Sequence, residues 1–138
     1  MKMANYRIED VEGIGETLGK KLRDVGMKDT DSLLEACKTP ADRKRLAEKA
    51  KISPKRILSF ANMVDLYRVS GVGSEFAELL EAAGVDTVPA LARRNPANLT
   101  KAMLEINEKK KLTRRAPTEK EVTKWVEEAK TLPRMLTY

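Results

Sequence analysis

The chain carries one short pattern twice: two glycines flank an apolar residue, and an apolar stripe of helical period follows. The first copy reads VEGIGETLGKKL (residues 11–22) and the second reads VSGVGSEFAELL (residues 69–80). The match continues beyond these stretches at the same spacing, with Leu33 of the first copy falling on Leu91 of the second. Recurrence at a fixed spacing indicates an internal repeat of supersecondary structure.

The spacing between equivalent residues widens toward the C-terminus. The later matches pair Ile57, Phe60, Ala61, Val64 and Tyr67 with Val122, Trp125, Val126, Ala129 and Leu132. We therefore predict a first repeat over residues 1–66 and a second over residues 67–138, with a basic insertion near 107–117. Because neither repeat has many large apolar residues, we expect the two to pack as one compact unit with a shared core.

The sequence predicts an all-α fold. Apolar residues recur at helical spacing, helix-capping residues precede Pro40, Pro54 and Pro96, and no stretch shows the sustained alternation of a strand. We expect a short helix or turn near 5–11, followed by helices near 15–25, 30–37, 40–50, 54–69, 73–83, 87–94, 96–108 and 118–132.

Composition argues against several classes of function. The 138 residues contain one cysteine and no histidine, which disfavours a disulfide, a zinc site and a His-based catalytic triad. Cys37 is interpreted as a small buried hydrophobe. No apolar run approaches the roughly 20 residues that cross a bilayer. We expect a cytoplasmic protein that is not an enzyme, has no metal site and has no membrane partner.

A Gly-apolar-Gly turn that opens a helix can bind an anion. Glycine permits unusual backbone angles and close approach, while the first N–H groups of the helix are unpaired and lie at the positive end of its dipole. A phosphate suits such a site. The middle residues, Ile14 and Val72, are suited to anchor the two turns in the core.

These residues resemble the helix-hairpin-helix motif, in which a small residue and a leucine follow the glycine turn. Gly19 and Ala77 stand at the small position. In repair enzymes, ligases and recombination proteins this motif binds the sugar-phosphate backbone without reading sequence. The resemblance implies phosphate contacts, and a bound monovalent cation, at the first glycine turn (Gly13, Ile14, Gly15, Glu16) and the second glycine turn (Gly71, Val72, Gly73, Ser74).

The whole chain also resembles a family of uncharacterised bacterial and archaeal proteins with two helix-hairpin-helix repeats. The stretches that carry this resemblance include GVDTVPALARRNPANL and VTKWVEEAK. The first forty residues are similar to the C-terminal domain of the RNA polymerase α subunit, where a related unit contacts both DNA and proteins. The resemblance implies a fold more directly than a function.

Positive charge lies in the middle of each repeat. The chain has a formal net charge of +6, and residues 38–56 and 93–115 each contain eight basic and two acidic residues. The KKKLTRR stretch of the insertion is expected to form a mobile basic loop. The predicted nucleic-acid contacts are Gly13, Ile14, Gly15, Glu16, Lys20, Lys21, Arg43, Lys44, Arg45, Lys109, Lys110, Lys111, Arg114 and Arg115.

The second glycine turn is a weaker candidate for phosphate. Glu75, Glu78 and Glu81 follow it, and no basic residue lies between Gly71 and Gly84. Carboxylates that faced a DNA duplex would be repelled by its phosphates. This turn is either purely structural or part of a protein-contact face.

Two functions stay open at this point. The first is sequence-independent binding of double-stranded DNA, with the protein associated with the nucleoid. The alternative is a protein-interaction adaptor that uses Glu75, Glu78 and Glu81. A monomer and a homodimer are both compatible with the sequence.

Overall fold

The computed structural model describes residues 5–11 and 13–138, and their regular secondary structure is helical apart from one isolated bridge between Arg7 and Asp29. A 3-10 turn at Ile8–Asp10 precedes the α-helices. These are α1 (Gly15–Asp24), α2 (Thr30–Ala36), α3 (Pro40–Ala50), α4 (Pro54–Leu66), α5 (Ser74–Ala82), α6 (Val88–Ala92), α7 (Pro96–Lys110) and α8 (Glu119–Thr131). The predicted all-α class is confirmed. The largest difference in bounds is at α4, which ends three residues before the predicted position.

Contacts divide the chain into two units. The first contains Asn5–Asp65 together with Arg134–Tyr138, and the second is Leu66–Pro133. This division lies one residue from the predicted boundary between 66 and 67. It differs at the C-terminus, since residues 134–138 join the first unit. The packing of the two repeats as one compact unit remains a prediction.

In the first unit, α1 packs against the 3-10 turn and against α3, and α2 also packs against α3. Fully buried side chains from these elements and from α4 form the core; they include Ile8, Leu22, Leu33, Ile57 and Val64. The C-terminal segment adds Leu136 to the core, and the Thr137 backbone N–H donates to the Lys38 carbonyl at 2.8 Å.

In the second unit, α8 packs against α6 and α7, and α5 packs against α7. Trp125 of α8 is 3% exposed and contacts the Phe76 ring, with 5.2 Å between the ring centroids. The prediction that Trp125 and Phe60 are core residues rather than base-stacking platforms is confirmed, because Phe60 is buried as well.

Most of the α-helices begin at a side-chain cap. The capping oxygen accepts the backbone N–H of the third residue that follows it, which satisfies one of the unpaired donors of the first turn. The capping residues are Asp29, Thr39, Thr87, Asn95 and Thr118. At α1 and α5 the N-cap residues are Ile14 and Gly73, and neither makes a side-chain cap bond.

Within residues 5–11 and 13–138, no helix has both the length and the apolar character needed to cross a membrane. Cys37 is fully buried, and this burial raises the pKa of its thiol to about 12. The interpretation of Cys37 as a small hydrophobe is confirmed.

Candidate nucleic-acid interface

The first glycine turn has the unusual backbone angles that its glycines permit. Gly13 and Gly15 have φ values of +89° and +65°, a region that L residues with side chains seldom occupy. The Ile14 N–H donates to the Val11 carbonyl at 3.0 Å. The Ile14 side chain is only 4% exposed, so it anchors the turn in the core as expected.

The N-terminus of α1 opens directly from this turn. Its first N–H groups receive no side-chain cap, and no heavy atom lies within 4 Å of the position that a Cβ on Gly15 would take. Gly15 and Glu16 are both exposed. The geometry combines a helix N-terminus whose N-cap residue makes no side-chain bond, the positive end of a helix dipole and open space beside Gly15, all of which suit an anion.

A shallow groove beside the turn gathers charges of both signs. It is lined by Arg7, Glu9, Asp10, Gly15, Glu16, Lys20 and Arg23. Of the two lysines predicted to support phosphate binding, Lys20 faces this groove. The two arginines were absent from the predicted set, and they raise the number of cations that line this groove from one to three.

Both arginines are held by Glu9. Arg23 makes a two-pronged ion pair, with its Nε at 2.5 Å from Glu9 Oε1 and its Nη2 at 2.9 Å from Oε2. Arg7 Nη2 lies 3.1 Å from the same Oε2. The hydrogen bonds from Arg23 hold the pKa of the Glu9 carboxyl below its usual value. Because Glu9 and Arg23 are far apart in sequence, no local pattern signals this cluster.

Gly19 provides the space for Glu9. A Cβ placed on Gly19 would lie 2.8 Å from Glu9 Cγ, closer than such atoms approach in proteins. The helix-hairpin-helix resemblance implies a small residue here to let two helices approach. In this chain the small residue accommodates a side chain from the 3-10 turn.

Lys21 points to a different element from Lys20. Its Nζ donates to the Lys51 carbonyl at 3.4 Å, at the C-terminal cap of α3. Lysine at the negative end of a helix dipole is favourable. Lys51 itself adopts a left-handed conformation, with φ +58°. Lys21 therefore links α1 to the C-terminal end of α3, the element against which α1 packs.

The basic segment of the first unit divides into buried and exposed residues. Arg43 is 6% exposed; its guanidinium donates to the Cys37 carbonyl at 2.8 Å and to the Thr137 carbonyl at 2.7 Å. Arg45 pairs with Asp42, whereas Lys44 is exposed. Arg43 is therefore a correction to the predicted set: it holds the C-terminal segment and is not available to a ligand.

The insertion is ordered by specific contacts, which corrects the expectation of a mobile loop. Lys109 and Lys110 end α7, and Lys111 caps it with φ +51°. The Asn107 carboxamide then accepts the Thr113 N–H at 2.9 Å. Lys109, Lys110, Lys111 and Arg114 are exposed.

Arg115 is tied into the second unit. It forms a two-pronged pair with Glu121, at 2.7 and 2.9 Å, and its guanidinium carbon lies 5.4 Å from the centroid of the Phe76 ring. The bonds from Arg115 lower the pKa of the Glu121 carboxyl to about 2. Arg115 is exposed like the other cations of the insertion, but its guanidinium is paired with Glu121.

The second glycine turn differs from the first in two respects. Gly71 has φ +88°, but Gly73 has an ordinary extended backbone at φ −102°. A carboxylate from α8 also occupies this turn: Glu128 accepts the Ser70 N–H at 2.5 Å and the Ser70 hydroxyl at 2.8 Å. Val72 is buried and anchors the turn. An anion from the protein itself thus lies at this turn.

The three glutamates of α5 lie in unequal surroundings. Glu75 and Glu81 are exposed, and Glu78 is half-buried. Partial desolvation, with a smaller contribution from Asp86, raises the pKa of the Glu81 carboxyl. Among the described residues, no group of three or more His, Cys, Asp and Glu side chains is arranged to hold a metal ion.

Comparisons with known proteins place the chain in a family. Neither a search of curated proteins nor a search of solved structures gives a match. A scan against protein families matches residues 12–132 to a domain of unknown function, DUF4332. This match covers most of the chain, and the protein therefore belongs to the DUF4332 family.

Proposed function

We propose that this protein is a non-enzymatic, sequence-independent binder of double-stranded DNA, built from two helix-hairpin-helix repeats. The observation that carries the proposal is the N-terminus of α1. It opens without a side-chain cap at a turn in which Gly13 and Gly15 are both left-handed, with Lys20 beside it. Backbone N–H groups would bind a phosphate oxygen, and Lys20 would add charge.

Equivalent features in the two halves support the repeat part of the proposal. In each half, a glycine turn leads to a helix that is followed by a left-handed glycine, Gly26 at φ +93° and Gly84 at φ +90°. The third helix of each half then ends at a left-handed lysine, Lys51 or Lys111. A fourth helix follows in both halves, so the order of elements is the same.

Exposed cations would supply the rest of the binding energy. In the first unit these are Lys20, Lys21, Lys44 and Lys51, and in the second they are Lys109, Lys110, Lys111 and Arg114. Contacts to phosphate fix position without reading bases, which agrees with a sequence-independent function. Arg43 and Arg115 are not counted among these cations, because the guanidinium of each makes contacts within its own unit.

The second glycine turn has a structural role in this proposal. Glu128 already supplies a carboxylate to Ser70, and the glutamates of α5 would repel a duplex. The protein-interaction alternative uses these glutamates of α5. A partner with basic side chains would pair with Glu81, whose carboxylate is partly desolvated. The protein would act as a monomer or a homodimer associated with the nucleoid. A monovalent cation would bind at the first glycine turn.

Duplex binding measured at increasing salt concentration tests the function. The logarithm of the affinity should fall linearly with the logarithm of salt concentration, with a slope of about −0.9 for each phosphate contacted. Lys20→Glu should weaken binding, and Glu75→Ala should not. If the wild-type protein does not bind a duplex even at low salt, the proposal is wrong, and loss of a protein partner on changing Glu75, Glu78 and Glu81 would favour the adaptor.

A further inference from the structure

We propose that Glu9 is a built-in competitor for phosphate at the first glycine turn: it occupies Arg7 and Arg23, and a DNA phosphate that displaces it gains two further cationic contacts. This inference rests on the proposed function and names a regulatory contact within the same site. It also adds Arg7 and Arg23 to the residues that bind DNA.

The competition follows from the chemistry of the donors. A guanidinium binds a carboxylate and a phosphate through the same pair of parallel N–H groups. Arg23 uses its Nε and Nη2 on Glu9, at 2.5 and 2.9 Å. While this pair holds, those donors cannot bind a phosphate, although Arg23 lines the groove beside Gly15.

The position of the carboxylate is fixed by packing. Glu9 Cγ lies 2.8 Å from the position that a Cβ on residue 19 would take, so the absence of a side chain at Gly19 leaves room for it. The Glu9 side chain is 18% exposed, whereas those of Arg7 and Arg23 are 74% and 38% exposed. The carboxylate is thus the more buried partner, and the more exposed arginine side chains have room to turn toward a ligand.

The groove also contains groups that would attract the phosphate that replaces Glu9. Lys20 and the uncapped N-terminus of α1 lie in the same groove as the ion pair. A phosphate held there would compete with Glu9 for the arginine donors, because a backbone phosphate offers them two anionic oxygens as the carboxylate does and would also be attracted by Lys20 and the helix N-terminus. Without a ligand, the pair keeps the net charge of the groove low.

Glu9→Gln tests the inference, because glutamine keeps the shape of the side chain and its seat over Gly19 but lacks the negative charge. Loss of the ion pair should raise duplex affinity about tenfold at low salt. The free energy of a hydrogen bond to a charged group corresponds to about that change in affinity. The salt slope should stay close to that of the wild-type protein, because the phosphate displaces Glu9 there as well and both complexes contain the same phosphate contacts.

Asp24→Asn is the matched control. Asp24 is exposed at the end of α1, and its substitution changes the net charge by the same amount without releasing an arginine. It should raise affinity only about twofold, as a screened surface charge would, and leave the salt slope unchanged. Equal effects of the two variants would overturn the inference and leave the proposed function intact.

A double variant separates arginine release from any general effect of the substitution. In a protein that already carries Arg23→Gln, adding Glu9→Gln should give much less than the single-variant gain. Thermal unfolding followed by circular dichroism checks that each variant folds. A full gain in the Arg23→Gln background would contradict the inference. If wild-type protein and Glu9→Gln both fail to bind a duplex at low salt, the proposed function and this inference are both wrong.

Discussion

The Glu128 carboxylate binds Ser70 through both the backbone N–H and the hydroxyl, at 2.5 and 2.8 Å, and so fastens α8 to the second glycine turn. These two hydrogen bonds are stronger than bonds between neutral groups because their acceptor is a charged carboxylate. The second turn is therefore held by an anion of the protein itself. The contact lies on the residue before the turn, and the N-cap residues of α1 and α5 both lack a side-chain cap bond.

Glu128→Gln should lower the free energy of unfolding by about 1 kcal/mol, because the neutral amide makes weaker hydrogen bonds to Ser70. Glu127→Gln is the control, since Glu127 is exposed and pairs with Lys130 one turn away in the same helix. Denaturant unfolding measures both. A loss for Glu127→Gln as large as that for Glu128→Gln would argue against a specific role of the Ser70 contact.

Arg43→Ala should lower the free energy of unfolding by about 2–4 kcal/mol, because it leaves the Cys37 and Thr137 carbonyls without their charged donor. Lys44→Ala is the neighbouring control, and an exposed lysine should change stability by less than about 0.5 kcal/mol. Denaturant unfolding again provides the measurement. Equal stability of the two variants would show that the buried guanidinium is dispensable.

The helices could be predicted from sequence because their signals are local. Helical periodicity placed Trp125 and Phe60 in the core, and the prolines at 40, 54 and 96 marked helix starts that the structure confirms. The same periodicity carried a further signal, since Arg43 falls on the helix face of Leu46, Ala47 and Ala50. That face is buried, so the stripe indicated a buried arginine within the basic run.

The contacts that shape the candidate site lie beyond such local signals. Glu9 meets Arg23 only after the 3-10 turn folds against α1, and Glu128 meets Ser70 only after α8 folds back. The direction of Lys21 toward the Lys51 carbonyl depends on the packing of α1 against α3. Charge counts along the chain cannot distinguish these engaged residues from exposed ones.

Gly19→Ala should have effects that depend on Glu9. With Glu9 present, the new Cβ would lie 2.8 Å from Glu9 Cγ and force that side chain to move. In a Glu9→Ala background this obstacle is absent, and alanine should stabilise α1 by up to about 1 kcal/mol through its helix propensity. The stability change on Gly19→Ala should therefore be more favourable in that background. Identical changes in both backgrounds would mean that the two side chains do not compete for space.

The ion pair of Glu121 predicts a pH dependence of stability. Its pKa is lowered from 4.5 to about 2, chiefly by Arg115, so its stabilisation is present above pH 4.5 and is lost as the pH falls through 2. Glu121→Gln keeps the capping side chain but cannot form the ion pair. The wild-type protein should therefore melt at a higher temperature than Glu121→Gln at pH 6, and the difference should vanish near pH 2.

Glu119→Gln supplies the control for that comparison. Glu119 is exposed in the same first turn of α8, and no ion pair is described for its side chain. The melting difference between this variant and the wild-type protein should change much less between pH 6 and pH 2. If the melting difference changes as much as it does for Glu121→Gln, the pH dependence of stability comes from the helix terminus and not from the pair with Arg115.

Backbone amide resonances measured by NMR during titration with a short DNA duplex test the central claim most directly. Binding at the first glycine turn should shift the amide signals of Gly15, Glu16 and Thr17, because these N–H groups open α1. The signals of Glu75 and Phe76, at the equivalent end of α5, should change little. Saturable duplex binding without any shift at Gly15, Glu16 and Thr17 would contradict phosphate capture by the first glycine turn.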